Sequence, residues 1–551
     1  MRHYRGYVLT LAATGFCSLL VFLWSSSAAA EDLGQMIHNT RALREKFLKD
    51  PHRPGYHFIA PEGFYGTLDP NGAIFWKGRY HLFYIEQDKE DRKTQKHYWA
   101  HVSSVDLVHW RHHLPALVPP AGDNAKCWTG DSFDADGVAT ILYWGGGKHP
   151  GATHLATSAD DDLTTWTKHP ANPVVPAKPP AGSPANERGV WVMDTKEGWW
   201  GDKAACAWKK GETWYCIRGG KIPGQGDTVF LFESPDMIHW KYMHPFYESQ
   251  RRWTHAEDDA ACPDFFKLGD KYMLLFFSHR NGKKPPAGGC QYYLGRYEND
   301  KFYPETYGRM TWVDNAFAAP DSLEDDQGRR IMWAWLFDGR KREVRDTSGW
   351  AGTMCLPRVL WLGEDGTLRI RPPKELQQLR YNPRKVNNLT IAADGELLLK
   401  DISGDSIELE IQMAPDEDAK QFGVKVCCSP GGEEEILVYY DAADKKLKVD
   451  TRKTRLDEGP PPRKRDMGSW DDPWQRRVEA APFELKPGEP LKLRVFVDKS
   501  VVEVFANDRQ AIARHIYPAR ADSVGVRLFS NGSAAKVPTV EAWEMMPSNP
   551  Y

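Results

Sequence analysis

A glycine followed by an apolar, aromatic-rich run recurs five times in the first two-thirds of the chain. The runs are Gly78-Arg79-Tyr80-His81-Leu82-Phe83-Tyr84, Gly137 to Trp144, Gly211 to Ile217, Gly269 to Phe277 and Gly328 to Trp335, with successive glycines 59, 74, 58 and 59 residues apart. The long interval holds the Pro/Ala-rich stretch Pro170 to Gly189, which reads as an inserted loop. A second signature, Asp-apolar-x-x-Trp, follows three of the runs at Asp106 to Trp110, Asp162 to Trp166 and Asp236 to Trp240. It fits a turn feeding a short outer strand, with the Trp filling the gap between neighbouring sheets. Each unit is long enough for about four short strands, and five units predict a five-bladed β-propeller. A sandwich could supply as many strands but would not explain the period. Helical periodicity is nearly absent here, apart from a short piece at Glu375 to Arg380.

After Pro372-Pro373 and Asn382-Pro383 the pattern changes to alternating strands such as Ser406 to Ile411 and Leu493 to Val497. Asp498-Lys499-Ser500 is a turn leading into Val501 to Phe505, a hairpin that reads as part of a β-sandwich. The chain is therefore expected to be all-β, a five-bladed β-propeller over 55–373, a linker over 374–385 and a C-terminal β-sandwich over 386–551. Upstream, Arg2 and Arg5, the apolar stretch Tyr7 to Trp24 and the small residues Ala28-Ala29-Ala30 predict a cleaved signal peptide over 1–30, followed by an N-terminal segment over 31–54. An uncleaved anchor is the alternative, since the apolar stretch is near the minimum spanning length. With cleavage, the protein is expected to be secreted or periplasmic, with no stable membrane insertion.

Lys plus Arg number 72 and Asp plus Glu 75, a net charge of −3 without long like-charge blocks, which argues against nucleic acid as a partner. The 41% apolar and 27% charged content excludes wholesale disorder. Trp numbers 22, level with Tyr, a surplus that suits both β cores and sugar-binding platforms. Eight cysteines remain after the signal, at 127, 206, 216, 262, 290, 355, 427 and 428, with no C-x2-C pair to suggest zinc, and several lie in apolar runs that favour buried thiols. His109, His112 and His113 follow an outer-strand signature and read as a solvated strand face rather than a metal site.

The chain has no G-x-S-x-G, P-loop, H-E-x-x-H or dinucleotide fingerprint. It does have acids at matched positions. Asp69 and Asp202 each lie 9 residues before a strand glycine, Gly78 and Gly211. In the fourth unit that offset falls on Ala260, just after Glu257-Asp258-Asp259. Equivalent positions on innermost blade strands converge on the central channel, so acids from three blades would share one pocket. The competing reading for Asp69 is turn chemistry ahead of Pro70-Asn71-Gly72. Three convergent acids suit glycoside hydrolysis: one carboxylate attacks the anomeric carbon, one carboxyl protonates the leaving oxygen, and a third stabilises developing positive charge.

The same residues resemble glycoside hydrolase family 32, the invertase, inulinase and levanase group. The matching runs are His57 to Pro61 with Asp69-Pro70-Asn71-Gly72, Gly78 to Tyr84, Trp128-Thr129-Gly130-Asp131-Ser132, Cys262-Pro263-Asp264-Phe265-Phe266, Gly349-Trp350-Ala351-Gly352 with Leu356-Pro357-Arg358, and Phe496 to Phe505. The resemblance implies a propeller plus sandwich and retaining cleavage of β-fructofuranosidic bonds in sucrose, inulin, levan or a similar carbohydrate, without metal or cofactor. It implies Asp69 as nucleophile, Asp202 as stabiliser, and sugar contacts from Asn71, Gln87, Trp99, Trp128, Asp131, Cys262 and Trp335. Three positions depart from the family pattern. Leu68 precedes the nucleophile in place of Asn, Gly201-Asp202-Lys203 replaces Arg-Asp-Pro, and Ala261 stands where the acid/base Glu directly precedes the Cys. Glu257 is the expected replacement because Glu reaches further, with Asp258 and Asp259 as rivals. The alternatives are a fructosyltransferase or related furanosidase, and a carbohydrate-binding protein that has lost its general acid.

Overall fold

The computed structural model describes residues 35–60, 67–86, 96–119, 126–145, 151–175, 205–222, 224–279, 288–313, 317–340, 342–416, 418–454 and 477–549. The predicted signal peptide, Gln87, Asp202 and most of the Pro/Ala-rich insert lie outside them. Residues 1–51 form a separate unit, described over a helix spanning 35–49, and the remainder of the fold lies in the second unit, from His52 to Pro550. Among the described residues no helix is long and apolar enough to cross a membrane.

Five antiparallel sheets make the propeller. The first is β1 (Thr67–Trp76), β2 (Arg79–Glu86), β3 (Tyr98–Ser104) and β4 (Arg111–His112), paired in that order. The second is β5 (Cys127–Ala135), β6 (Val138–Gly145), β7 (Ala152–Ser158) and β8 (Thr167–Lys168). The third is β9 (Ala205–Lys210), β10 (Thr213–Ile222), β11 (Gly226–Ser234) and β12 (Lys241–Pro245), and the fourth β13 (Ala261–Leu268), β14 (Lys271–Ser278), β15 (Gly289–Glu298) and β16 (Lys301–Arg309). The fifth holds β17 (Phe317–Glu324), β18 (Arg330–Leu336), β19 (Thr353–Met354), β20 (Arg358–Leu362) and β21 (Leu368–Arg371). The first strand of each sheet packs on its neighbours, β1 against both β5 and β17, which closes the ring.

The recurring glycines have a single job. Gly78, Gly137, Gly211, Gly269 and Gly328 all have positive φ, between 62° and 90°, in the turn from first to second strand. In the first two blades the turn is two residues long, Lys77-Gly78 and Asp136-Gly137, both left-handed, the geometry that matches strand twist in a tight hairpin. The second signature is also one local structure repeated. Leu107, Leu163 and Met237 each adopt positive φ, and a carboxylate accepts the following backbone N–H groups. Asp106 and Asp236 do this in two blades, whereas in the second Asp160 takes the N–H groups of Thr164 and Thr165 in place of Asp162. The Trp at the end is half-buried between sheets: Trp166 meets Phe83 of the previous blade edge-on at 5.7 Å, and Trp110 meets Trp333 at 6.2 Å. His109 is exposed and paired with Asp106, but His112 and His113 are half-buried, stacked on Phe58 and His101. All eight cysteines are buried.

The sandwich has two six-stranded sheets. One runs Arg380–Ile391, Ala535–Met545, Ser406–Pro415, Leu491–Asp498, Val501–Ala506, Gln510–His515; the other runs Gly395–Ser403, Gly525–Asn531, Gln421–Cys428, Glu435–Asp441, Lys446–Lys453, Val478–Pro482. A short 3-10 helix, Lys374–Leu379, leads in, and the first strand opens at Arg380, inside the segment read as a linker. Asn382-Pro383 does not end that strand, because a register shift with Asn382 at φ 46° accommodates it. Leu493, Val495, Val497, Val502 and Val504 fill the core between the two sheets, while Phe496, Val501 and Phe505 pack against Met273, Leu275 and Leu360 of the propeller. Burial on both faces explains why this hairpin reads as a nearly unbroken apolar run.

Candidate active site

The start of β1 is irregular, with register shifts between Thr67 and Pro70 and between Asn71 and Ile74. These bulges re-aim the strand at Asp69, which is half-buried at the start of β1. Gly72 sits in the left-handed region at φ 59°, and a Cβ there would lie 2.7 Å from Trp99 Cζ3. Trp99 is fully buried, and its indole N–H donates to the Trp128 carbonyl at 2.7 Å. It therefore acts as a brace between the first two blades rather than as an open sugar platform. Gly72→Ala is expected to destabilise the fold by about 2–4 kcal/mol, from left-handed strain plus overpacking on a rigid indole, read as a lower urea midpoint at unchanged slope.

Trp128, at the start of β5, is half-buried and stacks on His97 at 4.0 Å and on Trp144 at 5.2 Å, with Lys126 Nζ 5.1 Å from its ring. Asn71 is buried, and neither polar atom of its side chain has a partner among the described residues. Trp335 is almost buried, edge-on to Phe337 at 5.2 Å. Cys262 is the second residue of β13, at φ 44°, beside Pro70, Asp131, Asp264 and Asp321, and these residues line a small axial cavity of about 10 Å³.

The acidic run lies just before β13. Ala260 exchanges two backbone hydrogen bonds with Gly220, at 2.8 and 2.9 Å, which pins the run to the end of β10. Its three carboxyls then diverge. Glu257 is exposed and receives Lys221 Nζ at 3.2 Å. Asp258 is buried; one oxygen accepts the Ser278 hydroxyl at 2.9 Å and the other the His255 N–H at 2.7 Å. Asp259 is buried and accepts His279 N–H at 2.7 Å and Nδ1 at 2.8 Å. The desolvation of Asp259 is outweighed by His279 and Lys221, which hold it below the usual carboxylate range.

Two acids that the spacing argument did not single out converge on the axis. Asp264 accepts the Ser322 hydroxyl and Asp321 accepts the Ala73 N–H at 2.7 Å; Asp131, from β5, accepts Ala207 N–H at 3.2 Å. Burial pushes Asp131 up to about 7, with the Asp264 charge adding to it, and pushes Asp264 up to about 6 against the pull of Arg330. Asp321 is raised well above its ordinary value by burial, then by Asp264 and Asp131. Both missed acids follow a proline, Pro263-Asp264 and Pro320-Asp321, and that pairing was the available signal. Chemically, the described site offers a half-buried carboxylate at the start of β1, an acidic run ahead of the first strand of the fourth blade, and axial carboxyls raised by burial.

Comparison with known proteins fits this arrangement. Residues 57–372 match the Glycosyl hydrolases family 32 N-terminal domain and residues 375–544 the Glycosyl hydrolases family 32 C terminal. The chain is 28% identical over 530 residues to a levanase of Bacillus subtilis, covering 91% of this chain and 72% of that one. It is 26% identical over 520 residues to a sucrose-6-phosphate hydrolase of Escherichia coli, covering 89% and 94%. Fructan 1-exohydrolase IIa from Cichorium intybus superposes with a TM-score of 0.75 at 22% identity, covering 90% of this chain and 98% of that one. With both domains matched in order over almost the whole described second unit, the chain belongs to glycoside hydrolase family 32 and is a glycosidase.

Proposed function

We propose that the protein hydrolyses β-fructofuranosidic bonds of sucrose or fructans with retention of configuration, and that residues 1–30 direct its export. The observation that carries the reading is the placing of Asp69 at the start of an innermost strand, in a family 32 chain whose fourth blade presents acids at the start of its own innermost strand. Asp69 attacks the anomeric carbon to form a fructosyl-enzyme ester as the glycosidic bond breaks. The acid/base gives its proton to the leaving oxygen, then takes one from the water that cleaves the ester. Asp202, which lies outside the described residues, is assigned to charge stabilisation and Gln87, also outside them, to sugar binding. Asn71, whose amide has no partner among the described residues, and the half-buried Trp128 are the described candidates for touching the sugar. Asp131, Cys262 and Trp335 are assigned to the channel wall.

Glu257 is assigned as acid/base. Both oxygens of buried Asp259 are tied to His279 or Ser278, and both oxygens of Asp258 are engaged. Glu257 has the longer side chain and, among the described residues, a side-chain ion pair with Lys221 on the surface. Glu257→Gln is expected to lower kcat on sucrose by about 10²–10⁴-fold, with far less loss on a substrate whose leaving group needs no proton. Asp258→Asn is expected to leave that leaving-group dependence unchanged. If Asp258→Asn shows it and Glu257→Gln does not, the acid is Asp258. A second reading, sugar binding without turnover, draws on Ala261 at the head of β13. Binding of sucrose and fructans with no reducing sugar released would establish it.

A further inference from the structure

The axial channel has a second mouth. The first strands of the five sheets pack side by side, so their starts gather at one end with Asp69 and their last residues gather at the other. At that far end lies a pocket of about 680 Å³ to which all five blades contribute, through residues 73–75, 131–134, 206–210, 264–267 and 322–324. Asp69 and Pro70 lie before the bulge and the left-handed Gly72 that bend β1, and the pocket is reached only by the strand after them, from Ala73 onward. The pocket shares Asp131 and Asp264 with the small axial cavity but is lined by none of Asp69, Pro70 or Cys262, and its volume is in the range that holds a small ligand.

Its walls are selective. Trp208, Tyr272 and Tyr297 line it half-buried, so each keeps part of its ring open to the pocket. The cations around it are already engaged. Lys209 Nζ lies 2.6 Å from Asp136, Lys210 Nζ 2.8 Å from Asp300, and Arg330 pairs with Glu324 at 3.2 Å while its guanidinium covers Phe266 at 4.2 Å. Lys267 is exposed at the rim. At the floor stand Asp131 and Asp264, raised to about 7 and about 6 chiefly by burial, so near neutral pH they carry protons part of the time and can both donate and accept. A phosphate or carboxylate would meet these acids and spend its charge against cations that have partners. A purely apolar ligand would leave the two carboxyls facing hydrocarbon. A sugar suits both surfaces, with apolar C–H faces for the rings and hydroxyls for the acids.

We propose that this far mouth is a second carbohydrate-binding site, taking a neutral sugar that stacks on the Trp208–Tyr297 wall and bonds through its hydroxyls to Asp131 and Asp264. The site stands on the pocket itself and does not depend on the catalytic assignment. Its test is calorimetric titration of Asp69→Asn protein with fructose, sucrose, a short inulin-type oligosaccharide and, separately, inorganic phosphate. Two sugar sites per chain are expected. Trp208→Leu and Tyr272→Leu, each added singly, are expected to weaken one of the two at least about tenfold and spare the other, with melting curves showing that the fold is kept. In the wild-type background the same two changes leave kcat and KM for soluble sucrose within about twofold. Tighter binding of the oligosaccharide than of fructose assigns the site to chain ends, and the reverse assigns it to free monosaccharide. A single site in the parent, two undiminished sites in both folded variants, or displacement of the sugar by phosphate would overturn the proposal. Hydrolysis can fail while the far site binds, and the far site can be absent while hydrolysis proceeds, so the two readings are separable.

Discussion

Asp69→Asn is expected to lower kcat for fructose release from sucrose by about 10⁴-fold or more, leaving the melting temperature close to that of the wild type. Asn keeps the size and much of the hydrogen bonding of Asp but cannot form the ester bond on which a double displacement depends. The strand start that positions residue 69 is held by Gly72, Trp99 and Ser132, none of which the substitution touches. Binding should therefore survive the change, and KM should move far less than kcat. A second readout separates a nucleophile from a residue that only shapes the mouth. Proton NMR of the first product formed by the wild type should show fructose with the anomeric configuration of the substrate, before mutarotation. Turnover by Asp69→Asn within tenfold of wild type, or an inverted first product, would remove Asp69 from the nucleophile role.

Glu503→Ala is expected to cost about 3–5 kcal/mol of stability. The reason lies in a fully buried charge network between propeller and sandwich. Glu503 accepts Leu356 N–H at 2.7 Å and Arg358 Nη2 at 3.1 Å, and lies 3.6 Å from His57 Nε2. On its other side His57 Nδ1 meets Asp498 at 3.0 Å, and Asp498 also takes the backbone N–H groups of Gly55, Tyr56 and His57. Removing Glu503 leaves Arg358 and part of the His57 charge buried without their partner, and chemical denaturation of wild type and variant measures the difference. His57 adds a pH signature. Desolvation lowers it, but the flanking carboxylates of Asp498 and Glu503 outweigh that and raise it to about 9 from an ordinary 6.5. A raised histidine contributes stability that is fully present below about pH 6.5 and is lost as pH climbs through 9. Glu503 is lowered, so its share is lost only as pH falls below the ordinary carboxylate range. The wild-type melting temperature should fall between pH 7 and pH 9.5, and His57→Gln should flatten that fall. Equal slopes for the two proteins would show that His57 is not charged in the fold.

This network also accounts for a pattern in the sequence. The hairpin Phe496 to Phe505 is recognisable because it carries two constraints at once: apolar side chains for two packed faces, and two acids, Asp498 and Glu503, tied to the propeller. Periodicity alone exposes the first constraint. The second needs His57 and Arg358, more than 140 residues away in the chain, to be seen beside it.

The acids show the same division. Asp69 was legible because a left-handed turn at each strand glycine fixes the offset from turn to channel mouth, and the turn leaves its mark in one residue type. The offset found Ala260 in the fourth blade and pointed to the neighbouring acids, but it could not rank Glu257, Asp258 and Asp259. Their separation depends on Lys221, Ser278 and His279, which reach them from strands β10 and β14 and the residues that follow them. Asp264 entered only as part of a family run and Asp321 not at all, because each is an ordinary strand acid until the ring closes and brings it beside Asp131. Trp99 shows the same dependence on the fold. Its family motif suggested a sugar contact, yet the close approach of Gly72 puts it behind the strand. The sequence by itself thus determined the repeat, the two-domain order and the family, since turn chemistry and alternation are local and period-bound. Only the tertiary structure decided which acids are exposed, which are held ionised and which keep a proton, because solvation and charge pairing depend on neighbours from other blades.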